Sequence, residues 1–116
     1  EREAMLNPAD KPRTPWVREC LGSRQGPFIA ATDYMKTVAD QIRQWVPGRY
    51  VALGTDGYGR SDSREALRSH FEVDRHWIVV AALKALADDG RIDRASVTLA
   101  MKKFGIDPAK PDPRVV

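Results

Sequence analysis

Gly54-Thr55-Asp56-Gly57-Tyr58-Gly59-Arg60-Ser61-Asp62-Ser63-Arg64-Glu65 joins a short apolar run to a polar, helix-forming one through three glycines. The run before it, Tyr50-Val51-Ala52-Leu53, has the length and composition of a strand buried on both faces. Gly54, Gly57 and Gly59 permit positive φ or the close approach of another backbone. Asp62 stands three residues before Glu65, the spacing of a capping box, in which each side chain satisfies a free amide at a helix start. The stretch therefore predicts a strand, a sharp turn and a helix in succession.

Upstream, Phe28-Ile29-Ala30-Ala31 reads as a second strand that leads into Thr32-Asp33, either of which can cap a following helix. Met35, Val38, Ala39, Ile42 and Trp45 recur at three- and four-residue steps. This periodicity predicts one helix over 34–46, packed on a sheet face and stopped by Pro47-Gly48. Strand, helix and strand at this distance make a βαβ unit with parallel strands. Residues 1–15 are polar and contain Pro8, Pro12 and Pro15, so an extended arm is expected there, connected to something upstream. Trp16, Val17 and Leu21 are expected to anchor it as a short helix or turn.

Downstream, residues 63–71 are expected to form a short helix presenting Leu67 and Phe71 on one side. Asp74 can cap a longer helix through Trp77-Ile78-Val79-Val80-Ala81-Ala82-Leu83-Lys84-Ala85-Leu86-Ala87, apolar nearly all round and ended by Gly90. Asp93 opens a last helix with the stripe Val97, Ala100, Met101 and Phe104, closed by Gly105. The tail from 107 carries Pro108, Pro111 and Pro113 and is expected to be extended. Two parallel strands have open edges and apolar faces that further strands and helices must cover, so the fold looks incomplete.

The glycine junction, together with Leu67, His70-Phe71-Glu72-Val73-Asp74 and the apolar run from Trp77, also carries a resemblance. Thr32-Asp33-Tyr34-Met35-Lys36 and Lys103-Phe104-Gly105-Ile106-Asp107 extend it over most of residues 15–116. These residues resemble the C-terminal segment of the homodimeric decarboxylating component of pyruvate dehydrogenase complexes, thiamine-diphosphate enzymes of the transketolase superfamily. Tyr58 stands where that family more often has Phe.

The resemblance implies an α/β fold, the latter part of a three-layer α/β/α transketolase-type C-terminal domain whose earlier strands lie before residue 1. With the proline-rich ends read from their composition, the chain divides into an extended arm (1–15), a partial transketolase-like domain (16–106) and an extended tail (107–116). The resemblance also implies a parent enzyme that decarboxylates pyruvate on thiamine diphosphate and magnesium and acetylates the lipoyl group of a dihydrolipoyl acyltransferase core. The implied partners are the rest of the same polypeptide, a homodimer partner and that core, in the cytoplasm.

Catalytic and cofactor-binding residues are not expected within these residues. The family holds magnesium through Gly-Asp-Gly followed by Asn, whereas Asp56-Gly57 is preceded by Thr55 and has no matching downstream Asn. Gly54 through Arg64 is accordingly read as a structural loop. A rival reading makes the chain an independent module that captures a phosphate or acidic peptide with the amides after Ser61 and with Arg60, Arg64 and Arg68. The glycine spacing matches neither G-x-G-x-x-G nor a P-loop, and the caps compete for the same amides.

A small free-standing enzyme would need partners for His70 or His76, and Ser61, Ser63 and Ser69 are the only hydroxyls near them in sequence. Cys20 is the only cysteine, so no intramolecular disulfide or clustered zinc thiolates can form. The net charge is +3, from 19 basic and 16 acidic residues that are interleaved rather than blocked, which argues against nucleic acid. No apolar run approaches the ~20 residues of a membrane helix. No signal peptide is evident, and a first residue other than Met suggests a fragment or a processed chain.

Overall fold

The computed structural model describes residues 1–116. In chain order it contains α1 (Arg2–Leu6), α2 (Trp16–Leu21), β1 (Phe28–Ala31), α3 (Lys36–Asp40), a single 3-10 turn (Arg43–Trp45), β2 (Tyr50–Leu53), α4 (Arg64–His70), α5 (Arg75–Asp88) and α6 (Arg94–Lys103). β1 and β2 are parallel neighbours in the register Phe28 to Tyr50 through Ala31 to Leu53. Both strands have the expected limits, and the connection between them is helical.

That connection is not the single helix expected over 34–46. After α3 the chain tightens into the 3-10 turn, where the amides of Trp45 and Val46 reach the carbonyls of Ile42 and Arg43 three residues back. The Arg43 guanidinium bridges the Asp40 carboxylate, at 2.6 Å, and the Tyr50 carbonyl, at 2.7 Å, and so draws the end of the crossover onto the start of β2. The Tyr50 hydroxyl donates to the Ala39 carbonyl at 2.6 Å from the other direction. Met35, Val38 and Ile42 of the expected buried stripe are 58%, 47% and 38% exposed, because nothing in these residues covers that face.

The second half follows its local signals. Asp74 accepts from the Trp77 amide at the start of α5, and Asp93 accepts from the Ala95 amide at the start of α6. Gly90 and Gly105, at φ 72° and 67°, take the left-handed conformation just past the two helix ends. Val80, Ala87 and Val97 form a small core, with Leu83, Met101, Phe104 and Ile106 packed around it. α5 also lies against the sheet, and three of its residues, Val80, Ala85 and Ala87, are buried.

Both ends of the chain differ from expectation. The arm is not extended throughout, since Arg2–Leu6 form a helical turn, although none of its residues is buried. The short helix expected around Trp16, Val17 and Leu21 does form, as α2, with Val17 and Leu21 half-buried and Trp16 74% exposed. The tail is not extended either. Asp107 and Asp112 each accept a backbone amide two residues on, from Ala109 and Arg114, and these two Asx turns fold the tail back over the glycine junction.

Only 8 of 116 residues are buried. The radius of gyration is 17.6 Å, against about 13 Å for a self-contained domain of this length. The chain is a flat layer measuring 55 × 36 × 20 Å with apolar faces turned outward.

Candidate functional site

The glycine junction leaves the C-terminal end of β2, the end at which α/β folds present their loops. Gly54 is buried there, and a Cβ on it would lie 2.6 Å from the Lys36 amide nitrogen and 2.8 Å from the Tyr34 carbonyl oxygen. This contact explains glycine at 54 by proximity. The Thr55 amide donates to the same Tyr34 carbonyl at 2.9 Å, and the Thr55 hydroxyl donates to the Asp33 carbonyl at 2.9 Å.

The Asp56 carboxylate accepts from the Lys36 amide at 2.9 Å and so caps α3 from 20 residues away. Neither Thr32 nor Asp33 caps that helix. The Thr32 hydroxyl accepts from the Tyr34 amide at 3.1 Å instead. Gly57 has φ 128°, outside the range of ordinary L residues, and the Pro113 carbonyl of the tail occupies the space a side chain would fill. Tyr58 is 76% exposed, and Gly59 has open space around it and no positive φ, so nothing in the structure explains the third glycine.

The expected capping box between Asp62 and Glu65 does not form. Ser63 is the N-cap of α4 and accepts from the Ala66 amide at 3.2 Å, while the Asp62 carboxylate accepts from the Ser63 amide at 2.7 Å. Ser63 wins because its hydroxyl reaches the third helical amide directly, which leaves Glu65 in the first turn to favour the helix dipole.

Arg60, Ser61 and Arg64 are exposed. Arg68 pairs with Asp33 across the sheet end at 2.9 Å. The Arg68 hydrogen bond holds the Asp33 carboxyl below its ordinary range, and Asp33 in turn raises the Arg68 guanidinium. The rival anion-capturing reading gains no support from this arrangement. α4 has only seven residues, Ser63 occupies its Ala66 amide, and Arg68 already has a carboxylate partner.

His70 and His76 do not converge. The His70 ring meets Phe71 edge-on at 4.8 Å, and its buried Nε2 has no hydrogen-bond partner. Burial foremost, and then the charges of Arg60 and Lys110, push the His70 imidazole below its ordinary value. His76 stacks on Phe104 at 4.6 Å, with 15° between the ring planes. Cys20 is a free, exposed thiol. No three His, Cys, Asp or Glu side chains converge on a point.

Sequence reasoning missed one residue that acts here. Lys110, half-buried in the tail, donates to the His70 carbonyl at 2.9 Å and to the Glu72 carboxylate at 3.0 Å. The only local trace of this contact is a lysine among prolines.

Comparison with known proteins agrees with this architecture. A family model described as the transketolase-like TK C-terminal domain matches residues 5–74. The chain is 60% identical over 114 residues to a pyruvate dehydrogenase E1 component of Pseudomonas aeruginosa, an alignment that covers 97% of this chain and 13% of that protein. It is 56% identical over 116 residues to that of Cupriavidus necator and 51% identical over 116 residues to that of Escherichia coli K12. Those alignments cover 100% and 99% of this chain, and 13% of each relative. The chain thus spans about an eighth of the length of the relatives it matches, in their C-terminal region. With a parallel β1–β2 pair, a helical crossover and a family match over more than half its length, the chain belongs to the transketolase-like C-terminal domain family.

Proposed function

We propose that residues 1–116 are the non-catalytic, assembly-supporting C-terminal part of a thiamine-diphosphate-dependent pyruvate dehydrogenase. The observation that carries this reading is the 60% identity to a pyruvate dehydrogenase E1 component over 97% of the chain. In such an enzyme the cofactor supplies carbanion stabilisation during pyruvate decarboxylation. Its diphosphate, magnesium and activating carboxylate contacts are assigned to other parts of the polypeptide. The acetyl group is passed to a lipoyl arm of a dihydrolipoyl acyltransferase core.

Within that scheme, residues 16–106 complete a larger α/β/α domain, and the loop from Gly54 to Arg64 has a structural role. The faces left open by Met35, Val38 and Ile42 suit cover from the rest of the polypeptide or from a homodimer partner. The absence of any helix long and apolar enough to cross a membrane is compatible with a cytoplasmic location.

The direct test is calorimetric titration of the 116-residue chain with thiamine diphosphate at millimolar magnesium, followed by a pyruvate decarboxylation assay. A flat titration and no turnover are expected. Saturable, stoichiometric binding would overturn the assignment of this part as non-catalytic.

A further inference from the structure

The C-terminal tail is tied to the rest of the molecule at two places, the end of α4 and the glycine junction. Lys110 makes the first tie. Its ammonium donates to the His70 carbonyl and the Glu72 carboxylate, 40 and 38 residues away, and lies 5.8 Å from the centroid of the Trp77 ring. Glu72 is the only non-glycine residue with positive φ, at 64°. Such a conformation persists where its surroundings over-determine it, and the Lys110 contact helps to do so.

Pro113 makes the second tie. It is the buried residue of the tail, and its carbonyl sits where a Gly57 side chain would be. Between the ties the Asp112 carboxylate accepts from both the backbone and the guanidinium of Arg114, which locks the turn that aims Pro113 at the junction.

The far side of that junction is also committed. Asp56, next to Gly57, caps α3 through the Lys36 amide. Lys36, Asp56, Glu72, Lys110, Asp112 and Arg114 all line one cleft of about 340 Å³ beneath the tail. Positive and negative groups from the tail, the junction and the start of α3 therefore line one open cleft. Displacing the tail removes the carbonyl that packs on Gly57 and strips the tail side of that cleft from Asp56.

We propose that residues 106–114 are a strap, latched by Lys110, that sets the conformation of the loop 55–60 at the C-terminal end of the sheet, so that release of the strap and remodelling of the loop are one transition. The latch is the Lys110 contact at the end of α4, and the transmitted element is the Pro113–Gly57 packing. Because two coupled sites must influence each other equally, loosening the loop also loosens the strap.

Segment-resolved hydrogen exchange on the intact polypeptide that carries these residues tests the coupling. Local opening is read from amide exchange, and α6 (94–103), with Val97 in the core, serves as the internal reference. Lys110→Met keeps the aliphatic stem and removes the charge. It is expected to speed exchange about tenfold in both 55–60 and 107–116 and to leave 94–103 unchanged. Gly57→Ala approaches from the loop side and is expected to speed exchange in 107–116 by a similar factor, about tenfold.

Faster exchange in the tail alone after Lys110→Met would overturn the proposal, since the tail would then be an ornament on an independent loop. An equal rise in all three segments would also overturn it, because Lys110 would then support global stability rather than this transition. So would an unchanged tail in Gly57→Ala.

Discussion

The helical hairpin of α5 and α6 and the β1–α3–β2 unit are built from equally apolar sequence, yet they treat it differently. In the hairpin, Val80, Ala87 and Val97 close on one another, and neighbours such as Leu83 and Phe104 seal them. In the βαβ unit, Met35, Val38 and Ile42 of the crossover lie in the open, and the two-stranded sheet keeps a free edge on each side. One region carries its own core. The other is a face that requires cover, because parallel sheets are stable with both faces covered. An apolar stripe at helical spacing therefore tells which side will be buried, but not whether the burying surface is in the same stretch of chain.

The most severe way to break this comparison is Val80→Asp in the hairpin. It places an unpaired carboxylate in the only closed core and is expected to cost about 3 to 5 kcal/mol in chemical denaturation. A variant as stable as the parent would show that the hairpin core is not what holds the structure. Next in size is Gly57→Val, at the joint between the regions. With φ 128° and the Pro113 carbonyl against it, this change is expected to cost ~1 to 3 kcal/mol, read as a lowered denaturation midpoint. Loss of stability should exceed any loss of turnover per assembled molecule in the whole enzyme.

Asp74→Ala removes the side chain that accepts from the Trp77 amide and is expected to cost about 1 kcal/mol, measured in the same way. Val38→Ser sharpens the contrast from the open side. In the 116-residue chain it should change stability by less than ~0.5 kcal/mol. In a longer polypeptide that covers α3 it should cost about 1 to 3 kcal/mol. A large cost in the short chain would mean that the face is already covered.

The smallest expected effect is a pH dependence. His70 is held below its ordinary value of 6.5, chiefly by burial, so the unfolded chain binds a proton at pH values where the folded one does not. Stability should therefore decline as pH falls below about 6.5 and level off once it passes the folded value, and His70→Gln should flatten that slope. An unchanged slope in the variant would place the proton uptake elsewhere.

Much of the fold was legible because it follows from local chemistry. The limits of β1 and β2, the parallel pairing, the Asp74 and Asp93 caps and the glycine stops at 90 and 105 each depend on a few consecutive residues. What sequence reasoning missed is non-local. The helix over 34–46 broke because Arg43 and Tyr50 tie the crossover to the sheet. The cap of α3 comes from Asp56 rather than from Thr32 or Asp33, and the tail folds back through contacts of Lys110 with residues some 40 positions away. For the candidate site, the three glycines predict positive φ or close approach without saying which: the structure shows positive φ at Gly57, close approach at Gly54 and neither at Gly59, and no local signal reveals that the tail supplies the backbone opposing Gly57.

The Asp56 cap also has a consequence for the order of folding. α3 is five residues long, too short to persist alone, and its first amide has no partner until the chain has passed through β2 and turned at the junction. The hairpin of α5 and α6, closed by near-neighbour contacts, has no such wait, and low sequence separation favours early formation. A conservative change at Val97 is thus expected to slow folding, whereas Asp56→Ala, which removes the acceptor, should act mainly on the unfolding rate, which makes the crossover helix a late arrival in a structure whose sheet it connects.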